Sequence, residues 1–128
     1  MALEFLEQQY AEHLSGNRQA LTEMFETLME RPAGCVIVAE TDGVLAGGIC
    51  GHVYRHPMSG NLVASEVGWW MDPHKRGAGM RVLRAFEAWA RAHGAEAIQM
   101  IAPNARVGSF YARLGYRLAE TTYQRRLA

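Results

Sequence analysis

Neither sign of charge is in excess in this chain: 13 lysines and arginines stand against 13 aspartates and glutamates. A balanced chain lacks the electrostatic grip that a phosphate backbone or an anionic lipid surface rewards, so no nucleic acid and no membrane is expected as a partner. No apolar run reaches the length of a bilayer span. Cysteine is scarce. Cys35 and Cys50 sit in apolar, strand-like surroundings without a Cys-x-x-Cys spacing or a signal peptide, and they read as buried free thiols of a reducing cytoplasm, not as a disulfide or a zinc site. There is no low-complexity segment and no repeat period. The 128 residues suit one domain, spanning 1–128, with a single core.

The pattern that is present is one of short elements separated by clear punctuation. Leu3, Leu6, Tyr10 and Leu14 share a stripe, with Glu4 and Glu12 on other faces, which predicts an amphipathic helix. Ser15-Gly16-Asn17 interrupts it, and Asn17 caps a second helix carrying Leu21, Met24, Phe25, Leu28 and Met29, which must stop before Pro32. Cys35 to Ala39 reads as a buried strand, Thr41-Asp42-Gly43 as a tight turn, and Val44 to Arg55 as the partner strand. Gly47, Gly48 and Gly51 within that partner imply a bulge, or close approach by another backbone or a ligand. After a turn at Pro57 to Asn61, Leu62 to Met71 returns as a third antiparallel strand. A helix then runs to about His93 and ends at Gly94, and Ala97 to Ile101 follows as a strand parallel to the third. Pro103-Asn104 begins a short helix through Leu114. Gly115 to Leu118 and Thr121 to Arg125 are read as two final strands with Ala119-Glu120 at the turn. The fold class is α+β, a mixed central sheet with helices on both faces.

One stretch carries the chemistry. Asp72-Pro73-His74-Lys75-Arg76-Gly77-Ala78-Gly79-Met80 joins the apolar strand ending Trp69-Trp70-Met71 to the helix beyond it. Gly77 and Gly79 remove Cβ atoms where unpaired N–H groups of a helix N-terminus point outward, an arrangement that favours phosphate. The glycine order differs from that of a P-loop and of a dinucleotide fingerprint, so a different phosphate ligand is implied.

His74-Lys75-Arg76-Gly77-Ala78-Gly79 resembles the pyrophosphate loop of the GNAT family of N-acetyltransferases, Gln/Arg-x-x-Gly-x-Gly/Ala, with His74 where Gln or Arg is usual. Asn104 to Tyr116 resembles the family's later motif, Asn-x-x-Ala-x-x-Phe-Tyr-x-x-x-Gly-Phe/Tyr, with Val107 replacing the small residue. A helix and a strand separate the two, as the family requires. The resemblance covers about Cys35 to Arg125 and implies a single-domain GNAT-like fold. The family's first strand is missing, because this chain starts in the helix.

The resemblance implies the following roles. Backbone groups of Trp69, Trp70 and Met71 pair with the pantetheine arm of acetyl-CoA as if it were an added strand, at a point where two parallel strands splay apart. Amides of Gly77, Ala78, Gly79 and Met80, with Arg76, hold the pyrophosphate. Asn104 and Phe110 contact the arm or the adenosine end, and Arg113 reaches a phosphate. Phe110 also reads as plain core packing. Tyr111 matches the tyrosine that donates to the CoA sulfur, and the oxyanion donor is a backbone N–H near Trp70 or Met71.

Glu66, on the strand leading to the loop, is the candidate base, acting directly or through water, because burial raises a carboxylate pKa toward neutrality. Its alternative is a solvent-facing strand residue, and a bulge decides which face it takes. His52, His56 and His74 are rival bases without an adjacent orienting carboxylate, and they form no second cluster of the kind a metal needs. Trp69 and Trp70 alternate faces, so one is core and the other lines the cleft or covers the cofactor. The expected function is transfer of the acetyl group of acetyl-CoA to a primary amine by direct attack. A covalent cysteine is disfavoured, since neither thiol has an activating neighbour in the sequence. The alternative is a non-catalytic CoA-binding or sensing module with the same fold. The acceptor is a small-molecule or peptide amine, chosen by the helical hairpin, the loop from Pro57 to Asn61 and the final strands. A homodimer that completes the missing strand is a further possibility.

Overall fold

The Asn17 side chain accepts a hydrogen bond from the Ala20 N–H at 2.9 Å and so opens helix α1, Arg18–Glu30. The computed structural model describes residues 17–72, 74, 75 and 77–127. The expected helix from Leu3 to Leu14, the missing first strand and Arg76 lie outside the described residues. Helix α1 stops at a C-cap on Arg31, ahead of Pro32, whose ring disfavours helical geometry at the residue before it.

Strand β1 covers Gly34–Thr41 and β2 covers Val44–Arg55. Between them Asp42 and Gly43 adopt φ of 53° and 76°, both left-handed, as a two-residue hairpin turn requires. Strand β3, Leu62–Met71, completes the meander. Helix α2, Ala78–Ala92, ends with Gly94 at φ 79°. Strand β4, Ala97–Gln99, and helix α3, Ala105–Arg113, follow. The sheet order is β1-β2-β3-β4, antiparallel except for the parallel pair β3–β4 that the α2 crossover produces. No helix among the described residues is long and apolar enough to cross a membrane.

The two faces of the sheet bury different helices. Val82, Leu83, Phe86 and Ala90 of α2 pack on Cys35, Ala39, Ile49 and Ala64, whereas Leu28 of α1 packs with Cys50 and Trp70 on the other face. Each large apolar side chain removed from water in this way contributes about 1.5–3 kcal/mol. The strand glycines have a steric cause. A Cβ at Gly51 would stand 2.5 Å from the Ser65 carbonyl oxygen and 2.6 Å from the Phe86 ring, and one at Gly48 would stand 2.6 Å from the Trp70 ring. Both sequence readings of this strand hold, since β2 also meets register shifts against each of its neighbours.

Two expectations need correction. Strand β4 pairs over Ala97–Gln99 only and does not continue to Ile101. The two final strands are absent: residues 116–127 carry no strand. Ala119-Glu120 lacks the glycine or asparagine that a two-residue turn prefers, and a hairpin with no third strand or helix against it is marginal in water.

Candidate active site

The site is created by one extra residue. Cys50 pairs with Gly68 but Gly51 pairs with Glu66, so Val67 is an unmatched bulge in β3. Three positions apart on a regular strand, Glu66 and Trp69 would occupy opposite faces. The bulge puts both on the α2 face, Glu66 opposite Gly51 and Trp69 opposite Ile49. Glu66 is therefore buried, at 4% exposure, and not the solvent-facing residue of the alternative reading.

Beyond the bulge the sheet opens. The last rung between β3 and β4 is Ser65 with Gln99, while β3 runs on to Met71. Among the described residues no strand pairs with 66–71 on that side, and its backbone N–H and C=O groups face a wedge. Helix α3 packs against Trp69 of this segment. Asn104 caps it by accepting from the Val107 N–H at 3.0 Å. Phe110 and Tyr111 stack on the Trp69 ring with centroid separations of 6.0 and 5.8 Å.

Glu66 and Tyr111 meet at the peptide of Ile101. The Tyr111 hydroxyl donates to the Ile101 carbonyl oxygen at 3.1 Å, and the Ile101 backbone also hydrogen-bonds the Glu66 carboxylate. Burial pushes the Glu66 pKa from 4.5 to about 7, only partly offset by that hydrogen bond. Its Oε2 is buried with no partner among the described residues. The Tyr111 phenol is pushed well above its ordinary value, by burial first and then by the Glu66 and Tyr116 charges, so it remains a neutral proton donor. A carboxylate that titrates at neutrality beside a phenol that stays protonated is a base and an acid in one cleft.

The glycine loop closes one end of the wedge. The Asp72 N–H donates to the Ala46 carbonyl at 2.8 Å, and Asp72 Oδ1 accepts from the His74 N–H at 2.9 Å, which turns the chain toward α2. Gly77 is the N-cap at φ 85°, with no side-chain cap, and the first turn of α2 holds no acidic residue. The Ala78 N–H donates to the Lys75 carbonyl at 3.4 Å, and the Gly79 and Met80 N–H groups, which precede the first intrahelical bond from Arg81 to Gly77, point to where an external anion would bind. A Cβ at Gly79 would overlap the Met71 methyl group and lie 3.5 Å from the Trp69 ring. Trp69 thus spans from the loop to α3.

The structure brings together Glu66, Trp69, Met71, Gly77, Ala78, Gly79, Met80, Phe110 and Tyr111. The Trp70 side chain is on the opposite face, stacked with Phe25 at 5.8 Å, so only its backbone reaches the wedge. Asn104 Oδ1 is committed to the helix cap, and Arg113 is exposed on the last turn of α3. His52, Tyr54 and His56 form a ladder on the α1 face, at centroid separations of 5.4 and 6.4 Å. Tyr54 there donates to Gln99 Oε1 at 3.0 Å across β3. Two participants escaped sequence reasoning. The Ile101 peptide acts through its backbone and leaves no residue-type signal, and the Val67 bulge is hinted at only by Gly68 after it.

The family model described as the acetyltransferase (GNAT) family matches residues 2–116. No curated protein matches the sequence. Among solved structures, a mutant of the BH1408 protein from Bacillus halodurans is similar at TM-score 0.78 and 20% identity, covering 98% of this chain and 86% of that one. AAC(6')-Iy in complex with the bisubstrate analog CoA-S-monomethyl-acetylneamine gives TM-score 0.74 and 18% identity over 95% of this chain and 86% of the other. Glucosamine-6-phosphate N-acetyltransferase from Arabidopsis thaliana gives 0.73 and 13% over 98% and 90%. At these identities the likeness is one of fold.

Proposed function

Because the chain belongs to the GNAT acetyltransferase family, we propose that it transfers the acetyl group of acetyl-CoA to a primary amine by direct attack, with Glu66 as base and Tyr111 as acid. The observation that carries this reading is the meeting of Glu66 and Tyr111 at the Ile101 peptide, inside the wedge between β3 and β4.

The residues present fit the cofactor. The free backbone edge of 66–71 suits an extended pantetheine arm with alternating amide donors and acceptors. Gly77, Gly79 and Met80 offer N-terminal amides of α2 to the pyrophosphate, Ala78 shares its N–H with the Lys75 carbonyl at 3.4 Å, and Arg76 belongs to the same loop. Asn104 keeps its amide nitrogen for the arm while its oxygen caps α3, Phe110 flanks Trp69, and Arg113 is exposed for a phosphate. The unpartnered Glu66 Oε2 accepts the proton of the attacking ammonium or of a bridging water. A backbone N–H near Trp70 or Met71 steadies the oxyanion. Tyr111 then protonates the departing thiolate. Two of the solved structures support a small-molecule amine as acceptor: one holds a CoA-acetylneamine bisubstrate analog and the other is a glucosamine-6-phosphate N-acetyltransferase.

Gly77 provides a test that leaves the core alone, because a Cβ there meets nothing within 4 Å. Asp and Asn both tolerate left-handed φ, but only Asp adds a charge that repels pyrophosphate. Calorimetry should give saturable acetyl-CoA binding to wild type and to Gly77→Asn, with affinity reduced at least about tenfold in Gly77→Asp. Absence of binding by wild type would refute the reading. Binding without turnover across a broad amine panel would instead make the protein a non-catalytic CoA-binding module.

A further inference from the structure

Three side-chain polar atoms of β3 are buried without a hydrogen-bond partner among the described residues: Glu66 Oε2, Trp69 Nε1 and Trp70 Nε1. The Glu66 oxygen has a task as the candidate base. An indole N–H donates and cannot accept, so a buried one left unpaired forfeits its bond to water and recovers nothing. Such a group in a native fold asks what it is kept for.

The two indoles differ in what surrounds them. Trp70 turns toward α1 and packs among Phe25, Leu28 and Cys50, away from the wedge. Trp69 turns to the α2 face, where the rings of Phe110 and Tyr111 stack on it and fix its plane. One edge of that ring meets the entry to α2: a Cβ placed on Gly79 would lie 3.5 Å from Trp69 Cζ2. In an indole Cζ2 and Nε1 are bonded to the same junction carbon, so the edge beside Gly79 is also the N–H edge. The unpaired donor is therefore at the end of the wedge where the Gly79 and Met80 amides precede the first intrahelical bond of α2. Met71 shares this spot. Its methyl group rests against Gly79, while the side chain as a whole is 44% exposed and turns about three single bonds.

We propose that the Trp69 indole N–H is a donor of the cofactor site and that, in the complex, it hydrogen-bonds a pyrophosphate oxygen of acetyl-CoA. This rests on the cofactor reading above and goes beyond it, because that reading uses the backbone of Trp69 and not its side chain. The charge of the acceptor favours the pairing, since a bond to a phosphate oxygen is charge-assisted. A ring already held by two aromatic neighbours loses little rotamer freedom when the ligand arrives. Rotation of the Met71 side chain admits the ligand oxygen to the N–H.

Calorimetric titration with acetyl-CoA, and its competition by ADP, tests the proposal on three full-length proteins: wild type, Trp69→Phe, and a chain with β-(3-benzothienyl)alanine in place of Trp69. Phenylalanine keeps an aromatic ring without the donor. The benzothienyl ring keeps the indole outline and replaces only the N–H by sulfur, so no cavity accompanies the loss. In both variants acetyl-CoA affinity should fall at least about tenfold, and ADP should compete correspondingly less well. In urea the benzothienyl chain should unfold at the wild-type midpoint or above it, because the free protein has no hydrogen bond there to lose. Unchanged acetyl-CoA affinity in the benzothienyl chain overturns the proposal, and so does a lowered urea midpoint, which would mark the N–H as a structural donor. ADP that competes equally in all three proteins, or in none, overturns the pyrophosphate contact. A wild type that binds no acetyl-CoA refutes the acetyltransferase reading itself, and this inference with it.

Discussion

Replacing Glu66 by Gln should make the protein less active and, at alkaline pH, less burdened by its own active site. The Glu66 carboxyl is 4% exposed and its pKa rises from 4.5 to about 7 because burial disfavours the charged form. The folded chain therefore holds this proton more tightly than the unfolded chain does. Stability is unaffected below the unfolded pKa, falls as pH rises from 4.5 to about 7, and is level again above it. The whole difference corresponds to about 3 kcal/mol, most of which falls between pH 5 and pH 8.

Glutamine does not titrate. Urea unfolding of both proteins at pH 5 and pH 8 should then show the wild type losing roughly 2–3 kcal/mol relative to Glu66→Gln between the two, whatever constant offset the amide introduces. With an acceptor amine in hand, kcat/KM of the wild type should rise with pH through about 7 as Glu66 deprotonates. The variant should lose that inflection along with roughly 10²- to 10⁴-fold in rate. Stability curves that run parallel from pH 5 to pH 8 would refute the burial argument. A variant of full activity would refute the assignment of the base.

Tyr111→Phe removes the hydroxyl that donates to Ile101 and should cost about 1 kcal/mol in thermal or urea unfolding. Its kcat should fall at least about tenfold with acetyl-CoA affinity unchanged in calorimetry, the split expected when only proton donation is lost. Gly51→Ala drives a methyl group into the Ser65 carbonyl and the Phe86 ring, and urea unfolding should report a loss of about 1–3 kcal/mol or more. Trp70→Ala empties the contact with Phe25, Leu28 and Cys50 and should lower stability by about 3–5 kcal/mol, while acetyl-CoA binding survives because only the Trp70 backbone faces the wedge.

Much of the fold was legible because local chemistry and long-range packing agree. Asn17, Asp42-Gly43, Pro32 and Gly94 mark element boundaries through capping, left-handed φ and the proline restriction, all of which act within a few residues. The parallel pairing of β3 with β4 followed from the helix between them. The end of the chain misled for the converse reason. Thr121, Tyr123 and their neighbours have strand-like alternation, but a strand exists only where another strand accepts its hydrogen bonds, and among the described residues none does. The candidate site was legible as residue types and not as a constellation. Glu66 and Tyr111 stood out by chemistry and motif, whereas the face that Glu66 takes depended on a bulge at Val67, set by pairing against β2.

By itself the sequence determined the order of the elements from Asn17 to Leu114, the glycine-bearing entry to α2 and the supply of one carboxyl and one phenol to the candidate site, since these follow from spacing and side-chain chemistry along the chain. The tertiary structure alone decided that Trp70 is core and Trp69 lines the wedge, that β4 stops at Gln99 and leaves the far side of 66–71 without a strand partner among the described residues, and that Glu66 is buried beside Tyr111. Ladder register, strand splay and desolvation are properties of segments in contact, so no single segment carries them.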